Sequence, residues 1–154
     1  MIIMNILGVA KEGLTRPFGD ERTVKQAFPA GIPKEDSDPF LMCDYFNMKE
    51  TGGLAGVDEF PVDWHPHRGF DICSYLRSGT GRHADSLGNR ETYETPGMQW
   101  MSTGSGVVHA EGGGTERGQT VQGYVCQQLL PVSKTDCFRV DFKFGSIFPL
   151  KGKW

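Results

Sequence analysis

Turn-forming residues interrupt the middle of this chain so often that no long helix fits between them. From Trp64 onward, short apolar or alternating segments are separated by Ser78-Gly79-Thr80-Gly81, Leu87-Gly88-Asn89, Thr95-Pro96-Gly97 and Thr103-Gly104-Ser105-Gly106. Turn signals at roughly 8–12-residue spacing or closer belong to β-sandwiches and barrels, whereas βαβ units need helical stretches between strands. The composition agrees: 21 of 154 residues are glycine and 9 more are proline, about twice the ~7% glycine of average proteins. A chain of this length holds one domain with its own core. The expectation is therefore a single all-β domain. Further strands are expected at Pro39–Phe46 and Thr120–Leu130, with loops at Thr51–Asp63 and Gly112–Gly118.

Charge narrows the partners. A net charge of −3 and a pI near 5.8 provide no basic face for gripping a phosphate backbone, so no direct nucleic-acid binding is expected. No segment approaches the ~20 apolar residues that span a bilayer, and the first residues carry no basic region of a secretory leader. No membrane association is expected, and the location that follows is cytoplasmic and/or nuclear. Cys43, Cys73, Cys126 and Cys137 form no CxxC-type pair and read as scattered reduced thiols, mostly in the core.

Three of the four histidines fall in two short motifs, His65-Pro66-His67 and His109-Ala110-Glu111. In an extended backbone, residues i and i+2 face the same way, so each motif presents two ligand-type side chains together. Bringing the motifs together inside a small barrel gives three imidazoles and a carboxylate around one point. That donor set suits Fe(II), Mn(II), Ni(II), Cu(II) or Zn(II). Pro66 has no N–H for a ladder and places its neighbours at a strand start or sheet edge. Asp71 is a further candidate ligand, and either Asp71 or the His83-Ala84-Asp85 run could orient a ligand imidazole from behind; for His83 the simpler reading is a solvated strand residue. Phe70, Tyr75, Met98, Trp100 and Met101 are candidates for pocket walls or plain core.

Several stretches resemble one family. Asp38-Pro39-Phe40-Leu41, Asp44-Tyr45-Phe46, HPHRGFD from His65 to Asp71 with Tyr75 and Gly79, HADSLGN from His83 to Asn89, and above all PGMQWMSTGSGVVHAE from Pro96 to Glu111 are similar to the pirins of the cupin superfamily. The resemblance implies a jelly-roll cupin β-barrel with one mononuclear metal, Fe(II) as a rule. It also implies His65, His67, His109 and Glu111 as ligands. One implied function is a quercetin 2,3-dioxygenase-like reaction on a flavonol or another small aromatic enol. The metal would act as Lewis acid, O₂ would take an open position, and Glu111 would be the catalytic base. The alternative is a non-enzymatic, iron-dependent redox-sensing module that binds transcription factors as a co-regulator.

The resemblance runs from about Asp38 to Lys134. Pro96-Gly97-Met98 lacks the acid and the spacer that pirins have there, Gly112–Gly118 is more polar than the usual continuation, and pirins carry two cupin domains. The expected organisation is thus an N-terminal pirin-like cupin domain at 1–134 and a divergent tail at 135–154, as in a truncated product. A lone cupin leaves an apolar face, to be covered by a homodimer partner or by the tail folding back through Phe142, Phe144, Ile147 and Phe148.

Overall fold

The computed structural model describes residues 14–18, 22–29, 32–49, 60–113, 119–129 and 139–144. They form eleven strands and one short helix: β1 (Leu14–Phe18), β2 (Arg22–Phe28), α1 (Lys34–Ser37), β3 (Phe40–Lys49), β4 (Val62–His67), β5 (Phe70–Ser78), β6 (Thr80–Asp85), β7 (Arg90–Glu94), β8 (Gly97–Ser102), β9 (Val107–Gly113), β10 (Thr120–Leu129) and β11 (Arg139–Phe144). Two sheets result, one of seven strands in the order β1-β2-β3-β10-β5-β8-β11 and one of four in the order β4-β9-β6-β7. Every pairing within them is antiparallel. The all-β expectation holds, and the expected strands at 39–46 and 120–130 correspond to β3 and β10.

Strand alternation sets the core. On β5, Ile72, Ser74 and Leu76 are buried while Cys73 and Tyr75 are only partly so; on β8, Gly97, Gln99 and Met101 are buried and Met98 and Trp100 are partly so. Period-2 alternation of this kind means one face of the seven-stranded sheet looks inward. Two apolar clusters fill the space between the sheets. Ile72 and Met101 meet Val107 of β9, while Leu76 and Val121 meet Tyr93 of β7. Fully burying each large apolar side chain contributes roughly 1.5–3 kcal/mol. Tyr75, Met98 and Trp100, candidates for a pocket wall, lie instead on the outward face by the same parity, whereas Met101 and Phe70 belong to the inner cluster.

The turns follow the glycines. Gly79 joins β5 to β6 at φ 86°, a conformation that side-chain-bearing residues rarely adopt, and a Cβ there would press 2.9 Å from the Thr120 carbonyl oxygen. Residues 139–144 of the divergent tail add the edge strand β11 along β8, with Phe142 opposite Gln99 and Phe144 opposite Gly97. Ile147 and Phe148 lie outside the described residues, as do 51–59 and 114–118 of the expected loops.

Candidate metal centre

β4 is an edge strand of the four-stranded sheet, where the missing N–H of Pro66 breaks nothing. Its register with β9 is interrupted between Val62 and His65, and then His65 faces His109 and His67 faces Val107. Such an irregularity re-aims side chains. Here it also supplies a hydrogen-bond partner, because the Asp63 carbonyl accepts a 2.7 Å bond from His65 Nδ1. A carbonyl can only accept, so the proton sits on Nδ1 and the lone pair of His65 Nε2 is free for a ligand.

That lone pair points at the neighbouring strand. His65 Nε2 and His109 Nε2 are 3.0 Å apart. The ring centroids of His65 and His67 are 4.7 Å apart, those of His65 and His109 4.4 Å, and those of His67 and His109 4.9 Å. One ligand nitrogen from each of the three lies within 4.8 Å of the other two. The donor set fits a transition metal on geometry: two nitrogens each ~2.1 Å from one ion and at right angles to each other are about 3.0 Å apart. It also fits on charge. Burial, with His65 adding to it, lowers His67 to about 4; burial, then His65, His67 and His83, lowers His109 to about 2. Both imidazoles are neutral near pH 7, the state in which histidine ligates.

Glu111 follows His109 by two residues on β9 and pairs with Val62 on one side and His83 on the other. Its carboxylate does not join the three imidazoles within the distance that unites them. It lines a cavity of about 60 Å³ with Ser74, Leu76, Tyr93 and Val121. Burial pushes its acid strength down and its pKa up, against a pull in the other direction from His65. On the other side of the cluster, His67 walls a shallow cleft of about 410 Å³ with Arg68, Phe70, Val107 and Val108. Asp71, on β5 in the opposite sheet, is not part of the cluster.

His83 is the residue that the sequence misplaced. Instead of a solvated strand residue it is 1% exposed, and its ring lies 5.4 Å from that of His109. Gln99 of the seven-stranded sheet donates from Nε2 to His83 Nδ1 at 2.8 Å, and His83 Nε2 donates to Asp85 Oδ2 at 3.1 Å. Burial lowers the His83 pKa despite the neighbouring Asp85, consistent with a neutral ring that accepts on one nitrogen and donates from the other. Asp85 in turn accepts from the Leu87 and Asn89 backbone N–H groups and from Asn89 Nδ2. Burial would raise the Asp85 pKa, but the bonds from Asn89, His83 and Leu87 outweigh it and hold the carboxylate below its ordinary range. The chain Asn89–Asp85–His83–Gln99 thus ties the β6–β7 turn, the floor of the histidine cluster and the facing sheet together. Spacing carried part of this signal, since His83 and Asp85 repeat the i, i+2 pattern of the ligand motifs; the role of Gln99 had no local sign.

Known proteins place this geometry in a family. A pirin-like protein of Solanum lycopersicum is 38% identical over 104 residues, covering 65% of this chain and 32% of the relative. The chain therefore spans about a third of the length of that curated relative. Among solved structures, a quercetin 2,3-dioxygenase from Acinetobacter baumannii superposes with a TM-score of 0.74 at 26% identity, over 88% of this chain and 48% of that one. A bacterial pirin from Escherichia coli in complex with nickel(II) superposes with a TM-score of 0.68 over 89% of this chain and 57% of that one, and at 20% identity it shows the shared fold. The β-sheet pair is accordingly a cupin barrel. With the pirin family model matching residues 21–126 and the three-imidazole cluster inside that span, the chain belongs to the pirin family.

Proposed function

We propose that this chain is a mononuclear metal-dependent oxygenase of the quercetin 2,3-dioxygenase type, acting on a flat aromatic substrate that carries an enol hydroxyl. The observation that carries this reading is the convergence of three imidazoles, two of them held neutral by burial, two residues along β9 from a partly buried carboxyl group. His65, His67 and His109 would hold the ion, with Glu111 as the fourth ligand; Fe(II) is the metal we favour, ahead of Mn, Ni, Cu or Zn. A bound transition metal supplies Lewis acidity and a binding position for dioxygen. Everything else is done by side chains. Glu111, whose burial makes its carboxylate more basic, takes the proton of the substrate hydroxyl. With its hydroxyl at the three imidazoles, between Glu111 and His67, a flat ring would extend away from Glu111 into the cleft of about 410 Å³ beside His67, within the ~300–1,000 Å³ of ligand pockets, where Phe70, Val107 and Val108 offer apolar walls.

The test is an anaerobic titration of the metal-reconstituted protein with quercetin, followed by admission of oxygen. A shift of the flavonol absorption on binding and then oxygen uptake are expected, and Glu111→Gln should keep flavonol binding while losing uptake. Loaded protein that leaves the flavonol spectrum unchanged would count against the oxygenase reading.

A second reading draws on a different observation. The space at Glu111 is only about 60 Å³, enough for water-sized molecules and too small for a flavonol. This favours a module whose iron changes oxidation state and whose surface is read by a protein partner such as a transcription factor. Under that reading, hydrogen exchange along β4 and β9 differs between ferrous and ferric protein with no substrate present; identical exchange in the two states would exclude it.

A further inference from the structure

Three cysteines that are far apart in sequence stand side by side in the seven-stranded sheet. Cys126 of β10 pairs with Cys43 of β3 on one side and with Cys73 of β5 on the other. Val121, Ile72 and Leu76 take the core side of β10 and β5, so alternation puts the three thiols in one row on the other face of the sheet, Cys43 buried and Cys73 and Cys126 partly so. Cys126 and Cys43 are in direct contact, Sγ to Sγ 3.0 Å. Directly opposed residues of an antiparallel pair have Cα atoms about 4.5–5.5 Å apart, inside the ~4.4–6.8 Å that a disulfide bridges. The bond can therefore form without moving either strand. The row is too extended to chelate: the three sulfurs do not gather within the 4.8 Å that unites the imidazoles.

We propose that Cys43, Cys126 and Cys73 form a peroxide-responsive thiol site separate from the metal centre, in which Cys126 is oxidised, Cys43 closes a reversible cross-strand disulfide, and Cys73 is placed to exchange into it. The Cys126 thiolate attacks a peroxide oxygen, the O–O bond breaks, and a sulfenic acid and one water result. The Cys43 sulfur then attacks the Cys126 sulfur; the S–O bond breaks, the S–S bond forms, and hydroxide leaves with the Cys43 proton as a second water. Two thiols and one hydrogen peroxide become one disulfide and two waters, the two electrons passing to the peroxide oxygens. Exchange needs no further oxidant: Cys73 attacks Cys126 and releases Cys43 as thiolate.

Position assigns the order: Cys126 lies between the other two thiols, with one on each neighbouring strand. The hydrogen bond shared with Cys43 lowers the pKa of Cys126, against burial and Asp44, which push it up. The same hydrogen bond, then burial, raises Cys43. Burial, with Cys126 adding to it, raises Cys73 to about 11. Cys126 is thus the sulfur that either neighbour can reach, and the hydrogen bond it shares with Cys43 acts in the same direction by favouring its thiolate.

The full chain, treated at neutral pH with one equivalent of hydrogen peroxide, then alkylated and digested without reductant, tests this. Two of the four thiols should be lost, the whole-protein mass should fall by two hydrogens, and a peptide pair joining Cys43 to Cys126 should appear; dithiothreitol should restore all four. In Cys43→Ser the link should move to Cys73 and Cys126, and in Cys126→Ser no link within the row should form. Four thiols left free, oxygen atoms added irreversibly, or a wild-type link running through Cys137 would overturn the disulfide. Cys43→Ser protein that halts at the sulfenic acid would overturn the role of Cys73. Mapping of the wild-type chain needs no variant, so a substitution that fails to fold leaves the first test decisive.

Discussion

His109 is the residue on which the centre turns: it is fully buried, its Nε2 faces that of His65, and its ring neighbours those of His67 and His83. His109→Ala should reduce metal affinity by more than the roughly 10–100-fold that loss of an outer hydrogen-bond partner costs. The β domain should stay folded, because the apolar clusters around Ile72 and Leu76 do not include it. Metal content after dialysis, read beside circular dichroism, checks both halves. His83→Ala should behave in the opposite way. It strands the Gln99 amide, which costs about 1–3 kcal/mol of stability, whereas Asp85 Oδ2 keeps its bond from Asn89 Nδ2, and one equivalent of metal is retained. Denaturant unfolding and metal analysis of the same sample separate the two, and metal loss equal to that of His109→Ala would place His83 among the ligands.

At the scale of the strands, β10 is held between β3 and β5, and at Gly123 both neighbours approach closely. A Cβ at that position meets the Tyr75 carbonyl oxygen and the Phe46 ring. Gly123→Ala should lower stability by about 1–3 kcal/mol, as overpacking does; an unchanged urea midpoint would contradict the close approach. The same element shows what a sequence reveals and what it hides. His65, His67 and His109 were legible because an i, i+2 motif in an extended strand declares its face locally. Parity alone could also have separated Met98 and Trp100 from Met101, which sits three and one residues further along β8. The thiol row was invisible, since it depends on the registers of β3, β5 and β10 at once, and positions 43, 73 and 126 carry no mark of those registers. His83 misled because it is buried and its ring is met by Gln99 of another sheet, which no local pattern announces.

On the scale of the whole chain, the tail matters through β11, which occupies the outer edge of β8. We read residues 135–154 as a segment that substitutes for a partner at that edge. Deleting them should expose the backbone N–H and C=O groups of β8 and drive self-association; light scattering that finds an unchanged soluble monomer would refute this. The opposite rim of the molecule has a related arrangement with another outcome. β4 carries His65 and His67 but is paired, among the described residues, only with β9, the strand that carries His109. The site is therefore built like a clasp, with one jaw fixed in the sheet and the other hinged on its border. Opening it requires only that a six-residue strand lift from one neighbour, so an ion can be traded with solvent while both apolar clusters stay closed, and the same ion, once seated, pins an edge strand to its sheet.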